Sequence, residues 1–498
     1  MFDRLLKKII SKPKLVLIIS VLLMIPSAVG FFLTGVNYNI LSYLPDGLDS
    51  IQGEQLLDKN FGCASMSFLI VENMPTDDIK ELTRQINNID CVSSVLGVNE
   101  ILTQGIPFEM FPDEIRNILY SSDGSSTIIL IKFSTASADE ETMDAINQIN
   151  GITKKGCYLS GLSAILTDTK NLVEKQAPVY IIVAIFSALA MLAILSESWI
   201  MPPLVLYTLC SAVALNMGTN IIFGEISYLT ECIAVVLQLA VTMDYSVFLV
   251  ERYHEELMKG YSREKAVFNA VRQSFSSLVG SALTTVFGFA ALCFMSLSLG
   301  LDIGLVMVKG VLFGLLSVFI VLPALLVLFD DINLNHTHKY LKPDFTKINV
   351  FLIKKRNIFS VVFVILLVPA FFLNSSTEEY YSLDEMLGSS RESIIALNKL
   401  KKDYNMASVD FAIVSDSIPD ADMKTMLDEL NDVQGISFVL SYSTIVGPAI
   451  PDEIIPDELL KVVKSNGKQL IIMISEYTAG HEESNTQINT LTSILKSY

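Results

Sequence analysis

Long apolar runs alternate with two polar blocks along the chain. A predominantly apolar run of about 20 residues is long enough to cross a hydrocarbon core about 30 Å thick as a helix. The sequence therefore predicts seven membrane spans, and the two polar blocks follow the first and the seventh. The predicted spans cover residues 15–35, 178–195, 201–223, 230–250, 275–299, 303–329 and 358–373.

Basic residues indicate how these spans are oriented. Lys and Arg are concentrated in the N-terminal segment, after the fourth span and after the sixth, whereas the connections at 224–228 and 300–302 contain neither. Because basic connections stay in the cytoplasm, we expect a cytoplasmic N-terminus and two extracytoplasmic polar blocks. The first apolar run exceeds the about 7–15 residues of a signal-peptide core, so we interpret it as an uncleaved anchor.

The same pattern divides the chain into segments. Residues 251–274 are amphipathic, and we expect them to form a helix on the inner membrane surface with its basic residues at the headgroups. The segments are a cytoplasmic stretch with span one (1–35), a first extracytoplasmic domain (36–177), a bundle of spans two to six (178–330), a cytoplasmic linker (331–357), span seven (358–373) and a second extracytoplasmic domain (374–498).

The second polar block repeats the first. Residues 68–71 correspond to 411–414, 112–115 to 456–459 and 128–133 to 470–475, at a spacing of about 343. Span one maps onto span seven at the same spacing. Because five spans follow the first block, we expect five more to follow the second. The chain is therefore expected to be a fragment or a naturally truncated product that ends before spans eight to twelve.

Each polar block alternates predicted strands with predicted helices. Residues 67–71 alternate like a strand, and 76–88 carry apolar residues at helical spacing. A short helix over 113–120, a buried strand over 128–133 and a helix over 138–149 follow. This order predicts two α+β domains of the ferredoxin-like kind.

Composition narrows the classes of function. Only 18% of the 498 residues are charged, against about 25% in a typical soluble protein. The net charge of −18 argues against nucleic acid as a partner, because phosphate binding needs clustered Lys and Arg. The sequence contains no CxxC pair, metal-ligand spacing, phosphate loop or nucleophile–base pair. We therefore expect neither an enzyme nor a protein with a metal or a cofactor.

The layout of one span, a large outer domain and five spans, with a duplication, resembles the resistance-nodulation-division superfamily. The Met-Asp-Tyr-Ser-Val-Phe-Leu-Val-Glu-Arg-Tyr motif at 243–253 is similar to the fourth-span signature of its mycobacterial-membrane-protein-large (MmpL) branch, and 43–45, 283–289 and 322–326 support the match. The resemblance covers essentially the whole chain. It implies an exporter of lipids or other hydrophobic and amphiphilic compounds, driven by the proton gradient in a bacterial plasma membrane.

Asp244 and Tyr245 are the main candidate residues. A charged carboxylate near mid-membrane costs about 2.5–3.5 kcal/mol, so it usually has a function or a partner. The resemblance implies that Asp244 and Tyr245 form a proton relay; the alternative is a carboxylate that is paired within the bundle. The family has a second Asp-Tyr pair on its tenth span, and we hypothesise that this chain alone does not couple protons to transport.

Four further positions support secondary predictions. Gly280 and Gly288 lie one turn either side of Thr284 and form a small-residue face for helix packing. Thr284 and Thr285 are candidates to support the relay through hydrogen bonds near Asp244.

Two more ions lie in apolar surroundings. Glu231 and Lys309 are predicted to pair across spans four and six, or Lys309 extends to the outer surface instead. No metal or catalytic residue is assigned.

Two other functions remain open. Spans two to six of this superfamily also resemble sterol-sensing domains, so a membrane sensor or scaffold that does not transport is the alternative to an exporter. A protein-translocation helper is a third, although the Asp-Tyr signature fits that branch less well. The partners expected for the exporter are membrane lipids and a hydrophobic small-molecule substrate.

Overall fold

The computed structural model describes residues 2–45, 47–62, 65–97, 119–121, 124–196, 198–335, 346–375, 387–446 and 463–498. The repeated stretches 112–115 and 456–459, most of the predicted helix 113–120 and part of the 331–357 linker lie outside these residues. The chain forms two compact units. The membrane unit comprises Met1–Pro45 and Val173–Thr377, and the outer unit comprises Asp46–Leu172 and Glu378–Tyr498.

The elements are numbered in chain order. The helices are α1 (Phe2–Ser11), α2 (Pro13–Leu33), α3 (Asp49–Phe61), α4 (Thr76–Asn87), α5 (Glu140–Ile152), α6 (Leu162–Leu195), α7 (Met201–Gly218), α8 (Tyr228–Met258), α9 (Arg263–Leu292), α10 (Ser298–Asn335), α11 (Thr346–Lys354), α12 (Arg356–Ser375), α13 (Glu392–Tyr404), α14 (Asp420–Asn431), α15 (Tyr442–Val446) and α16 (Glu482–Leu495). The strands are β1 (Gly35–Asn37), β2 (Met66–Glu72), β3 (Val92–Leu96), β4 (Ser126–Phe133), β5 (Cys157–Ser160), β6 (Glu225–Ser227), β7 (Ser408–Ser415), β8 (Ile436–Leu440), β9 (Lys464–Ser465) and β10 (Lys468–Ser475).

Seven helices are long and apolar enough to cross a membrane among the residues described above. They are α2, α6, α7 with the 3₁₀ segment that follows it, α8, α9, α10 and α12. The seven predicted spans are thus confirmed, and the chain is a multi-pass membrane protein. Several helices extend beyond the apolar runs that predicted them, because polar residues with good helix propensity continue the same backbone hydrogen bonding.

The prediction of one amphipathic helix over 251–274 is wrong, because these residues belong to two helices, α8 and α9. The helical conformation is interrupted between α8 and α9, where Gly260 has φ +84° and Ser262 is the N-cap of α9. A residue in the left-handed region ends a helix, and glycine reaches that region without strain. The buried Glu256 carboxylate then fixes the turn, since it accepts hydrogen bonds from Lys259 at 2.5 Å and from Asn269 at 2.8 Å.

In the membrane unit, close helix packing depends on glycine at the contact of α2 with α7. A Cβ atom at Gly30 would lie 2.1 Å from the carbonyl oxygen of Gly218, and a Cβ atom at Gly218 would lie 2.2 Å from that of Ser27. Such backbone approach is typical of small residues in membrane helices. The core of the unit lies between α7, α8, α9 and α10, where Val205, Leu249 and Val306 are fully buried.

In the outer unit, residues 66–160 form a four-stranded antiparallel sheet in the order β3-β4-β2-β5. The helices α4 and α5 lie against one face of this sheet and contribute Ile86, Ile146 and Ile149 to its core. Along the chain the elements follow the order strand, helix, strand, strand, helix, strand. The strand Ser126–Phe133 that pairs with both β2 and β3 is the one the sequence predicts over 128–133.

The first five elements of this series recur in residues 408–495, with the short α15 and β9 inserted before β10. Here β7, β8 and β10 form a sheet in the order β7-β10-β8, and α14 and α16 cover one face. The helix before each sheet begins about 343 positions from its counterpart, at Asp49 for α3 and at Glu392 for α13. The structural repeat therefore has the spacing that the sequence predicts.

The two halves of the outer unit exchange their first helices. Leu57 and Phe61 of α3 pack against Leu470 of β10, whereas Leu400 and Tyr404 of α13 pack against the sheet of the first half. The Tyr404 hydroxyl is hydrogen-bonded to that of Ser126 at 2.7 Å, and Lys399 is paired with Glu72. Each half therefore completes one of its hydrophobic faces with a helix from the other half.

Candidate functional site

The candidate site lies on α8. This helix begins at Tyr228, and the hydroxyl of its N-cap, Ser227, accepts a hydrogen bond from the backbone N–H of Leu229 at 3.2 Å. Near the middle of the helix, Asp244 is exposed and Tyr245 is only 5% exposed. Adjacent helical residues point about 100° apart. The helix therefore turns the carboxylate outward and the tyrosine into the bundle.

Asp244 stands on an exposed apolar surface of α8. Ile233, Val236 and Leu237, on the same side of the helix, are each 39% exposed. The Asp244 carboxylate makes no hydrogen bond and no ion pair with any residue that the structure describes. Because an unpaired charge is costly in hydrocarbon, a carboxylate at this position favours contact with a polar partner.

Tyr245 faces a row of buried polar side chains on the inner side of α8. Gln238 and Thr242 precede it on this side, and each is 1% exposed. The hydroxyl oxygens of Thr242 and Tyr245 are buried without a hydrogen-bond partner in the described ranges. A buried hydroxyl without a partner costs free energy, so the inner side of α8 has unused hydrogen-bonding capacity next to the candidate relay.

Gln238 links this row to two neighbouring helices. Its side-chain oxygen accepts a hydrogen bond from Asn216 Nδ2 of α7 at 2.9 Å, and its Nε2 donates to the carbonyl oxygen of Gly310 of α10 at 3.1 Å. Sequence reasoning missed Asn216 and Gln238. Their signal was present, since amide side chains in membrane helices usually hydrogen-bond between helices.

Lys309 does not pair with Glu231. Its ammonium group donates to the backbone oxygen of Asn216 at 2.9 Å and to the side-chain oxygen of Asn220. Glu231 lies one turn into α8, whereas Lys309 lies about 16 Å along α10 at 1.5 Å per residue, so the two differ in depth. The partial negative charge at the C-terminal end of α7 compensates the Lys309 charge instead.

Glu231 lies close to Tyr38, which follows β1. The ring of Tyr38 stacks on that of Tyr228 with centroids 5.6 Å apart. Burial raises the pKa of the Tyr38 phenol above its ordinary value, and the charges of Glu174 and Glu231 raise it further. The Tyr38 phenol is therefore neutral and holds the segment after span one against the N-terminal end of α8.

The small-residue face of α9 makes no close packing contact with the described parts of the chain. A Cβ atom built at Gly280 or Gly288 would have no heavy atom of a packed neighbour among the described residues within 4 Å. The Thr284 hydroxyl donates to the carbonyl oxygen of Ser281 at 2.7 Å, and the Thr285 hydroxyl donates to the same oxygen at 3.2 Å. Both threonines thus bond to their own helix rather than to Asp244. The face that the sequence assigns to helix packing is open, and glycine packing occurs between α2 and α7.

Comparison with known proteins identifies related transport proteins. A family model described as the MMPL family matches residues 72–351. "Probable transport protein MmpL12" of Mycobacterium tuberculosis is 27% identical over 226 residues, which are 43% of this chain and 20% of that protein. "Apo-petrobactin exporter" of Bacillus anthracis is 28% identical over 208 residues, which are 37% of this chain and 28% of that protein. The matched part thus spans about a fifth to a quarter of these relatives.

Two further matches are a protein of which this chain covers a larger share and a solved structure. "Putative membrane protein MJ1562" of Methanocaldococcus jannaschii is 24% identical over 273 residues, which are 50% of this chain and 70% of that protein. A solved structure, "Crystal structure of SecDF in Super-membrane-facing form", aligns with 65% of this chain and 38% of that chain at 15% identity, with a TM-score of 0.32. A similarity at that TM-score supports no argument about this chain.

Proposed function

Because this chain belongs to the MMPL family, we propose that it is a membrane transporter that exports lipids or other hydrophobic and amphiphilic compounds. Protons moving down their gradient drive this export. Relatives whose names describe a transport protein and an exporter support the assignment. The substrate class rests on the resemblance of the 243–253 motif to the MmpL branch.

The observation that carries the proposal is the position of Asp244. It is a carboxylate on an apolar surface of a membrane helix with no partner among the described residues, and the next residue of the helix, Tyr245, has a buried hydroxyl that also has no such partner. A carboxyl group in such surroundings is stable when protonated and needs a partner or water when charged. Binding of one proton therefore favours apolar surroundings for α8, and its release favours contact with water or a polar partner. A proton-driven transporter can couple this difference to a conformational change.

The topology is part of the same proposal. The N-terminus and the basic connections lie in the cytoplasm, and the outer unit lies on the extracytoplasmic side. Its two halves serve as ferredoxin-like porter domains, which the strand order of the first sheet and its recurrence in the second support. We place the substrate site in this unit, because its domains are water-facing and continue into the membrane helices.

Reconstitution into liposomes tests the proposal. The full chain is inserted into vesicles that carry a pH-sensitive dye and a fluorescent lysophospholipid, and a pH gradient is imposed. Coupled proton flux and lysophospholipid movement that Asp244→Asn abolishes would support a relay formed by Asp244 and Tyr245, and would overturn the hypothesis that this chain alone does not couple protons to transport. Glu264→Gln is the matched control, because Glu264 is an exposed carboxylate in the first turn of α9.

The outcomes separate an exporter from the alternatives. Transport that is unchanged in Asp244→Asn contradicts the proton relay. If the wild-type chain moves neither protons nor lipid while it binds sterol, it is a sensor or scaffold, and the transport proposal is wrong.

A further inference from the structure

The N-terminal helix α1 is two-sided. Its apolar residues Leu6, Ile9 and Ile10 are buried. The opposite side carries Arg4, Lys7 and Lys8, all exposed, at i, i+3 and i+4. Residues at this spacing share one helix face, so α1 presents a continuous exposed basic face, on which the Lys7 ammonium also lies 5.9 Å from the centroid of the Phe268 ring of α9.

Aromatic contacts fix the orientation of α1 on the membrane unit. The ring of Phe2 lies 4.1 Å from that of Phe275 on α9 and 6.4 Å from that of Phe319 on α10, measured between centroids. The rings of Phe275 and Phe319 are themselves 5.2 Å apart. Because the apolar side is held by these rings, the basic side has a defined direction.

The basic face has no protein counter-charge in the part of the chain that the structure describes. The side chains of Arg4, Lys7 and Lys8 form no ion pair, and neither do those of Lys12 and Lys14, which follow at the start of α2. Asp3 is the single acidic residue between Phe2 and Lys14. Five exposed cations within eleven positions therefore remain available to an anionic ligand.

The position of this face in the membrane identifies the ligand. The span α2 begins at Pro13, two residues after α1 ends, so α1 lies at the level of the lipid headgroups. Leu5, beside the basic face, is 50% exposed. A basic helix with an exposed apolar side chain at that level is typical of a surface that contacts headgroups and acyl chains together.

We propose that the basic face of α1 is a binding site for anionic phospholipid headgroups. The phosphates bind Arg4, Lys7 and Lys8, with Lys12 and Lys14 at the edge of the site, while Leu5 contacts the acyl chains. Bound lipid holds α1 against the Phe275 and Phe319 rings and thereby stabilises the contact of α9 with α10. This site is separate from Asp244 and does not depend on the transport proposal.

Nanodiscs of defined composition test the site. The full chain is placed in phosphatidylcholine alone or with added phosphatidylglycerol, and thermal unfolding and lipid retention in native mass spectrometry are measured. We expect phosphatidylglycerol to raise the melting temperature of the wild type. Neutralising each basic residue of the face weakens phosphatidylglycerol binding about fivefold, so Arg4→Gln combined with Lys7→Gln and Lys8→Gln removes most of the effect.

A matched triple variant controls for net charge. Lys59, Lys80 and Lys424 are exposed in the outer unit, and changing all three to Gln alters the charge equally while the response to phosphatidylglycerol stays at the wild-type level. The single variant Leu5→Gln guards against misfolding of the triple variant, since it reduces retention with all charges intact.

Three results overturn the proposal. The first is an α1 triple variant that responds to phosphatidylglycerol like the wild type. The second is equal stabilisation by inorganic phosphate in phosphatidylcholine nanodiscs, which indicates a site for free anions. The third is an equal loss in the control variant, which indicates a general charge effect.

Discussion

The Thr230 hydroxyl on α8 donates a hydrogen bond to the Asp302 carboxylate on α10 at 2.6 Å. The same carboxylate oxygen accepts a second hydrogen bond from the backbone N–H of Ser227 at 2.8 Å. One side chain of α10 therefore caps the first turn of the helix that carries Asp244. A negative charge there is also favoured by the partial positive charge of a helix N-terminus.

We expect Asp302→Asn to destabilise the membrane unit. Hydrogen bonds to a charged group contribute about 1.5–3 kcal/mol, and the amide keeps the shape while it weakens both bonds and removes the charge. The melting temperature of the protein in nanodiscs is the measurement. Glu264→Gln, an exposed carboxylate, is the control, and equal melting temperatures for the two variants would contradict the capping role.

Lys309→Met distinguishes an internal cap from a lysine that extends to the membrane surface. Loss of the ammonium leaves the Asn216 and Asn220 acceptors at the end of α7 without their donor, at a cost of about 1–3 kcal/mol. Thermal unfolding measures this cost, with Lys347→Met as the exposed control. A neutral or stabilising effect of Lys309→Met would show that the lysine is not bonded inside the bundle.

Tyr245→Phe separates structure from transport. The Tyr245 hydroxyl has no hydrogen-bond partner in the ranges that the structure covers, so its removal leaves the free energy of unfolding unchanged or slightly raised. A hydroxyl that takes part in proton transfer typically contributes about 10²–10⁴-fold to the rate. We therefore expect a large loss of proton-coupled transport in liposomes without a fall in melting temperature.

The control for Tyr245→Phe is Tyr180→Phe, which removes an exposed hydroxyl that donates to Gln176 Oε1 at 3.0 Å. Transport by this control is expected at the wild-type rate. A Tyr245→Phe protein that transports equally well would exclude this hydroxyl from the relay.

Asp410 in β7 predicts a pH dependence of the outer unit. Burial raises the pKa of its carboxyl group, and its Oδ2 has no hydrogen-bond partner among the residues that the structure describes. The folded state therefore binds this proton more readily than the unfolded state, so the Asp410 contribution is most favourable at low pH and is lost as the pH rises through the raised pKa. Asp410→Asn should then stabilise the protein at pH 7.

Chemical unfolding at several pH values checks this prediction. The gain from Asp410→Asn is expected to be larger at pH 7 than at acidic pH, because burial raises the pKa of the Asp410 carboxyl group and so disfavours its charged form. It should shrink as the pH approaches about 4, the ordinary pKa of Asp. A gain that is independent of pH would contradict a charge effect.

The membrane spans and the repeat were predictable because they depend on local pattern. A run of apolar residues long enough to cross the bilayer can be recognised in the sequence without knowledge of the rest of the fold. The same is true of strands such as Ser126–Phe133. The end of α8 was not predicted, because amphipathic periodicity continues through Gly260 and only the left-handed backbone there breaks the helix.

Contacts between helices depend on information that no single segment contains. Gly280 and Gly288 have the same small-residue spacing as a packed face, and the neighbours of α9 decide that this face stays open. The predicted pairing of Lys309 with Glu231 was wrong for a similar reason. Its partner depends on depth along α10 and on where α7 ends, and neither is encoded in the residues around Lys309 itself.

The exchange of α3 and α13 has a consequence for biosynthesis. The first sheet ends with β5 at Ser160, and α13 begins at Glu392, 232 residues later. At about 5–20 residues per second, the ribosome needs roughly 10–50 seconds to reach the covering helix. During that time the face that receives Leu400 and Tyr404 is exposed to water. Cells that make this protein must therefore protect an unfinished sheet while several membrane helices are still being inserted.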